Sequence, residues 1–269
     1  MKTLIMSTLS LIVVSACSTK DGQVNPTNYF SVNTKKPSNN IAEKEYKFDF
    51  EQIQVSTGID AEVIKSDVER VVVFAPDNMM EDVLVENEGG KLHIRMKPGI
   101  RLNFTDKFNV RAKIYAKDFS ALKASSSGSI DLKDKFVQEK MSVAVSSSGS
   151  IDGDIEANDF SITASSSGDY SGKIWAINLK AEASSSGEID LKGTAKQSVM
   201  QASSSGSINA SEMVSETATL QASSSGSIDL AVSRQLMASA SSSGDVTVYR
   251  KGDISVTKNE SSSGSVNLR

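Results

Sequence analysis

Acidic side chains at fixed offsets from a repeated glycine are the residues of this 269-residue sequence best suited to chemistry. The main group is Asp152, Asp169, Glu188 and Asp190. Such oxygen ligands suit Ca²⁺, and carboxyl pairs about 5–9.5 Å apart hydrolyse glycosides. Stacked strands, however, place like residues about 4.8 or 9.6 Å apart automatically. Spacing therefore leaves open a weak cation or ligand stripe, and we favour a solvated acidic face without a metal ion or cofactor.

His93 is the only histidine, so a Ser-His-Asp triad would have to use it. The sequence contains no Gly-x-Ser-x-Gly elbow to hold a nucleophilic serine. Among the few aromatic residues after position 124, Trp175 and Tyr249 could stack on a sugar, although a core or bend role is more typical. The sequence therefore predicts no catalytic residue.

The motif Ser-Ser-Ser-Gly occurs eight times and organises the second half of the chain. Its glycines recur every 18 to 21 residues, at Gly128, Gly149, Gly168, Gly187, Gly206, Gly226, Gly244 and Gly264. An Ile, Val or Tyr stands two residues after each glycine, and an Ala stands four residues before it in six of the eight copies. A flexible linker has no reason to keep such columns, so the motif predicts a stacked repeat.

Apolar and polar residues alternate within each repeat, as they do in a strand with one buried face. One such strand is too short to bury a core alone, so the copies must stack. The sequence predicts an all-β fold, a single-stranded parallel β-helix (β-solenoid) with about 19–20 residues per coil. We expect a right-handed helix, because most parallel crossovers are right-handed. If the alternation continues through the motif, the middle serine faces inward and the hydroxyls form a ladder, whereas a bend at the glycine would reset the alternation.

Residues 1–17 have the features of a lipoprotein signal peptide. Lys2 gives a positive start, residues 4–14 are a short apolar run, and Val-Ser-Ala-Cys ending at Cys17 resembles a bacterial lipobox. This resemblance implies a diacylglyceryl thioether on Cys17, with membrane lipid as the partner. Because Cys17 is the only cysteine, no internal disulfide is expected.

The rest of the chain divides into three predicted segments. Residues 18–45 are polar and predict a flexible tether. Residues 46–124 carry strand signals without the serine motif and predict irregular N-terminal solenoid coils. Residues 125–269 predict the regular Ser-Ser-Ser-Gly coils, and Lys258 and Glu260 in the last repeat are typical of a terminal coil that faces water.

The chain resembles the family known as putative auto-transporter adhesin, head GIN domain. The resemblance rests on the lipobox, the tether, the Thr57-Gly58-Ile59-Asp60 turn, the Gly89-Gly90 hairpin and the serial Ser-Ser-Gly-Ser-Ile coils, and it covers roughly residues 46–269. It implies a β-helical envelope protein that is secreted or lipid-anchored, with an adhesive role. The family brings no catalytic residues to carry over.

The formal net charge of −4 and the scattered Lys and Arg residues argue against a nucleic-acid partner. We predict a non-catalytic adhesin or surface scaffold that binds a host or envelope glycan or protein. The alternative is a β-helix protein that binds or degrades polysaccharide. We expect an extracytoplasmic, lipid-anchored protein of the outer membrane, and the sequence leaves open whether it faces the cell surface or the periplasm.

Overall fold

The computed structural model describes residues 36–100 and 109–269. The predicted signal peptide, the predicted lipobox with Cys17 and most of the predicted tether lie outside these ranges. Within them the regular structure is β-strand apart from one 3₁₀ turn, Met80–Asp82, and no helix is long and apolar enough to span a membrane. All nineteen strands belong to one hydrogen-bonded sheet.

The strands fall into an irregular N-terminal set and a regular set. The first set is β1 Ile41–Tyr46, β2 Gln52–Ser56, β3 Asp60–Lys65, β4 Arg70–Pro76, β5 Val83–Glu88, β6 Lys91–Met96, β7 Arg111–Ala116, β8 Ala121–Ser125 and β9 Ser129–Leu132. The second set is β10 Phe136–Ser146, β11 Ser150–Asp152, β12 Ile155–Ser165, β13 Asp169–Ser184, β14 Glu188–Ala202, β15 Ser207–Ala222, β16 Ser227–Ala240, β17 Asp245–Arg250, β18 Ser255–Glu260 and β19 Ser265–Leu268.

The regular coils stack in parallel, with each motif aligned on the next. The residues two positions after the motif glycines form one ladder: Ile130, Ile151, Tyr170, Ile189, Ile208, Ile228, Val246 and Val266. None of them is more than 4% exposed. Each fully buried side chain of this kind contributes about 1.5–3 kcal/mol. The predicted β-solenoid and its inward apolar column are confirmed.

Tyr170 is the one aromatic residue in this ladder, and Gly172 leaves room for its hydroxyl. A Cβ on Gly172 would lie 2.1 Å from the carbonyl oxygen of Gly153 and 3.0 Å from the Tyr170 hydroxyl. The hydroxyl donates to that Gly153 carbonyl at 3.4 Å, and Phe160 packs edge-on against the ring. Burial raises the pKa of Tyr170. The phenol is therefore a neutral, hydrogen-bonded part of the core.

The Ser-Ser-Ser-Gly motif forms a tight turn, and the prediction of an inward middle serine is wrong. In one copy φ is 50° at Ser185 and 61° at Ser186, and the Gly187 N–H donates to the Ser184 carbonyl at 2.8 Å. Positive φ at both central residues is the signature of a type I′ turn. Both central serines are exposed. The two left-handed residues interrupt the alternation, so the serine hydroxyls face solvent.

The turns of successive coils are joined through their backbones. The Ser186 N–H donates to the carbonyl of Ser204 in the next coil at 3.2 Å, and the same bond repeats from the turn at Ser127 to the turn at Ser243. The glycine that ends each turn sits directly on the preceding coil. From Gly149 onward, an added Cβ would lie 2.3–2.6 Å from a backbone atom of that coil. The glycine is therefore required for space, while the positive φ values fall on serines.

The N-terminal coils do not stack in chain order. β2 pairs in parallel with both β6 and β8, and β3 pairs in parallel with both β7 and β9. The first coil of the chain is thus inserted between the second and the third. Antiparallel strands cover the outer edges: β4 lies beside β7, β1 beside β4, and β5 beside β6. Because β1 begins at Ile41, regular structure starts inside the segment predicted as tether.

The C-terminal coil, β18 and β19, ends in a charged pair. Glu260 stands in the column that holds alanine in most coils, and its carboxylate accepts bonds from the Val266 N–H at 2.7 Å and from Lys258 at 3.2 Å. The Val266 hydrogen bond, followed by that of Lys258, lowers the pKa of Glu260. The pair therefore places charge on the last described coil.

Two buried serines give a stability prediction. Ser198 donates to Ser215 at 2.8 Å, and Ser215 donates to the Thr217 carbonyl at 2.8 Å. Ser215→Ala would leave the buried Ser198 hydroxyl without its acceptor, so we expect a loss of about 1–3 kcal/mol. Ser198→Ala keeps the Ser215 bond to Thr217 and should cost less than about 1 kcal/mol. Denaturant melts of both variants test this order, and a larger loss for Ser198→Ala would contradict it.

Candidate functional site

The outward residues one and three positions after each turn form a continuous polar surface, here called the acidic face. Asp169 and Glu188 are register partners in adjacent coils, and Ser171 lies between Asp152 and Asp190. Burial first, and then the charges of Glu188, Asp190 and Asp152, raise the pKa of Asp169. The four residues singled out in the sequence therefore share one patch and repel one another.

The acidic face does not gather a metal-binding cluster. In the described part of the chain, no three Asp, Glu, His or Cys side chains come together closely enough to hold a metal ion. Ser171 donates to the Asp152 carboxylate, which uses part of its acceptor capacity within the protein. The patch has the geometry of a solvated face, and its use as a ligand stripe stays a prediction.

At its N-terminal end the acidic face meets a pocket of about 310 Å³, here called the N-terminal pocket. Four strands line it in register, because β9 pairs with β3, β3 with β7, and β7 with β4. Its main side chains are Asp60, Glu62, Phe74, Arg111, Lys113 and Asp131. Sequence reasoning missed this pocket, because its wall comes from β4, whose antiparallel position was not predicted.

The charges in the N-terminal pocket stand side by side on adjacent strands, since Arg111 is the register partner of Asp60 and Lys113 that of Glu62. On the carboxylate side, Ser129 donates to Asp60 at 2.7 Å, and Lys133 contacts Glu62 at 3.5 Å and also pairs with Asp131. The hydrogen bond to Asp131 is the main cause of a raised pKa at Lys133. On the β7 side are Arg111 and Lys113, and neither has a carboxylate within 4.0 Å among the described residues. The pocket therefore presents two cations on β7 beside carboxylates that have other partners.

A second, shallower depression of about 570 Å³ lies on the outer face of the strands that precede the turns. Lys140, Asp159, Asn178 and Gln197 line one side of it, and Asn178 donates to Asp159 at 2.7 Å. A further depression continues along the axis past Met237, which is 50% exposed. This surface is long and open and has few directed polar groups.

The two aromatic residues considered as stacking platforms lie apart from these depressions. Trp175 is 40% exposed on another face, in the ladder position between Glu156 and Thr194. Tyr249 lies under the guanidinium of Arg269, with the charge 6.0 Å from the ring centroid. Neither residue lines the N-terminal pocket.

His93 forms a contact that the sequence did not reveal. Its Nε2 lies 3.1 Å from the Ser56 hydroxyl, which is contributed by the neighbouring coil. Glu86 stands across from His93 but is bound to Arg95 at 3.0 Å. Ser56 is only 6% exposed, so the contact lies largely beneath the surface. It links two neighbouring coils.

The titration of His93 tests this environment. Burial first, and then the positive charges of Arg95 and Lys91, lower its pKa below the usual 6.5. The folded protein therefore binds this proton less readily than the unfolded chain does. Stability is retained above pH 6.5 and falls as the pH drops through the lowered value. NMR should show the single histidine titrating below 6.5, and a midpoint at or above 6.5 would contradict the structure.

The fold and its faces define a β-solenoid closed at one end by antiparallel strands, with long polar surfaces and a mixed-charge pocket among the N-terminal coils. The chain belongs to the family described as putative auto-transporter adhesin, head GIN domain, whose model matches residues 49–253. This membership confirms the resemblance inferred from the motifs. No curated protein sequence matches the chain.

Solved structures share the fold at low sequence identity. A putative adhesin from Parabacteroides distasonis is 19% identical with a TM-score of 0.76, covering 88% of this chain and 98% of its own. A putative adhesin from Parabacteroides merdae is 16% identical with a TM-score of 0.73, covering 88% and 99%. A putative lipid binding protein from Parabacteroides distasonis is 24% identical with a TM-score of 0.70, covering 87% and 98%. At these identities the likeness shows the fold alone.

Proposed function

We propose that this protein is a non-catalytic adhesin, anchored by lipid to the outside of the bacterial outer membrane. Membership of the adhesin family over residues 49–253 is the observation that carries the proposal. The architecture supports it, because stacked coils present extended, regular surfaces suited to binding.

The lipobox supports anchoring. A Cys17 that carries acyl chains would hold the protein at the membrane, since each buried CH₂ contributes about 0.8 kcal/mol. The polar composition of the residues between Cys17 and β1 is typical of a spacer.

The environment of the only histidine supports binding without catalysis. His93 contacts a buried serine, and the opposing Glu86 is held by Arg95. This environment argues against a Ser-His-Asp triad, whereas hydrolysis of a glycoside would need a carboxyl pair. Degradation of polysaccharide remains the competing function, and release of soluble sugar from any tested polysaccharide would support it.

Antibody labelling of intact and permeabilised cells tests the proposal. We expect labelling of intact cells, and loss of cell-associated protein on Cys17→Ser, because the acyl anchor needs the thiol. A matched Ser18→Ala variant keeps the cysteine and should remain cell-associated. Labelling only after permeabilisation would overturn a surface adhesin, and membrane retention of Cys17→Ser would overturn the lipid anchor.

A further inference from the structure

We propose that the N-terminal pocket binds one acidic sugar residue, a monosaccharide that carries a carboxylate beside its hydroxyls. The inference deepens the proposed adhesive function and rests on it, since it names the ligand class of a binding protein. It is carried by three features that meet in one pocket: available cations, an aromatic wall and carboxylates fixed by their own partners.

The cations define the acidic group of the ligand. Arg111 and Lys113 line the pocket, and neither pairs with a carboxylate within 4.0 Å among the described residues. A guanidinium binds a carboxylate through two parallel hydrogen bonds, which fixes its orientation as well as its charge. Because both cations stand on β7, the carboxylate of the ligand lies at the β7 side of the pocket.

The aromatic wall defines the body of the ligand. Phe74 is the register partner of Arg111 and lines the pocket from β4. An aromatic face offers a flat apolar contact, and the C–H face of a sugar ring is its natural complement. The volume of about 310 Å³ is at the lower limit of small-molecule pockets, so it suits one ring.

The carboxylates define the remaining groups of the ligand. Ser129 holds Asp60, and Lys133 holds Asp131. A carboxylate has about four acceptor positions, so each retains capacity for hydroxyl donors. The same carboxylates repel a ligand with several negative charges. One acid group at Arg111 and hydroxyls toward Asp60 and Asp131 satisfy both sides of the pocket.

Binding of free sugars to the full chain, purified in detergent, tests the inference. Sodium glucuronate and N-acetylneuraminate are titrated and followed by saturation-transfer NMR, with glucose as the neutral comparison. We expect at least one acid to bind at least about tenfold more tightly than glucose, because only the acids engage the cations. Equal binding of glucose, or no detectable binding of either acid, would overturn the inference.

Two variants locate the site. Arg111→Gln should weaken binding of the acid at least about tenfold, and Phe74→Leu should weaken both the acid and glucose by removing the aromatic face. Lys192→Gln is the matched control, since Lys192 is an exposed cation that pairs with Glu212 outside the pocket, and it should bind as the unaltered protein does. Thermal melts verify that each variant is folded. Unchanged affinity in Arg111→Gln would overturn the assignment.

Failure of this inference is distinct from failure of the proposed function. Intact-cell labelling together with absent sugar binding would overturn the pocket assignment and leave the adhesin standing. Sugar binding together with labelling only of permeabilised cells would retain the pocket assignment and move its ligand to the envelope interior.

Discussion

Gly206→Ala is expected to destabilise the solenoid by about 3 kcal/mol or more, although it adds one methyl group. The new Cβ would lie 2.4 Å from the Ala183 carbonyl carbon and 2.5 Å from its oxygen. These are backbone atoms of the preceding coil, so neither can move without disturbing the ladder. A denaturant melt measures the loss, and hydrogen exchange should show it concentrated in the coils on either side.

Ser205→Gly is the matched comparison in the same turn. Ser205 has a φ of 62°, which costs an ordinary residue about 1–2 kcal/mol. Glycine removes that strain, but it lowers the free energy of unfolding by about 0.5–1 kcal/mol because it gives the unfolded chain more conformational freedom. The net change in stability should therefore be small. If Ser205→Gly were less stable than Gly206→Ala, two conclusions would be contradicted: that the glycine is required because no Cβ fits, and that the strained positive φ values fall on the serines.

Ile189→Asp should unfold the coils around it, with a loss of about 4 kcal/mol or more. Ile189 is fully buried and lies between Tyr170 and Ile208 in the inward ladder. A carboxylate there would lose its water without gaining a partner. Circular dichroism on heating and hydrogen exchange of β13–β15 measure the effect.

Two milder changes calibrate that result. Ile189→Val keeps the apolar contact and should cost about 0.5–1.5 kcal/mol. Glu188→Gln, on the adjacent outward position, should stay within about 0.5 kcal/mol. If Ile189→Asp melts like the unaltered protein, the inward position of the ladder is wrong.

The regular coils could be predicted because their signal is local and repeated. Ile130, Ile151 and their equivalents keep a fixed distance from the motif glycine, and parallel stacking brings them into register. The acidic patch was predicted in the same way, because its residues also stand at fixed distances from the glycine. The pattern of a single repeat therefore predicts most of the fold after residue 125.

The turn could not be derived from the alternation. A residue such as Ser185 is inward if the strand continues and outward if two left-handed residues intervene, and serine is an uncommon choice for positive φ. The signal was present in the invariant glycine beside it. Gly187 ends the turn, and a Cβ added to it would lie 2.4 Å from the Ala164 carbonyl oxygen of the preceding coil. This close approach becomes visible only when the coils are stacked.

The N-terminal pocket and the Ser56–His93 contact depend on pairings between distant parts of the chain. The sequence suggested coils in this region, but it did not indicate that β2 and β3 would lie between later strands. Nor did it show that β4 would return antiparallel and bring Phe74 to Arg111. The pairing partner and direction of a strand depend on how whole strands pack together, and a short apolar run in the sequence does not indicate either.

The inserted first coil determines how the molecule bears mechanical load. Force applied through a lipid anchor would enter at the N-terminal end and reach β1 first. β1 pairs with one antiparallel strand, β4. The next strand, β2, is hydrogen-bonded along both edges, to β6 and to β8. Such a force would therefore pass into the interior of the sheet, and the N-terminal coils would not separate one at a time. If the proposed anchor holds the chain at a cell surface, this connectivity would resist unfolding under shear.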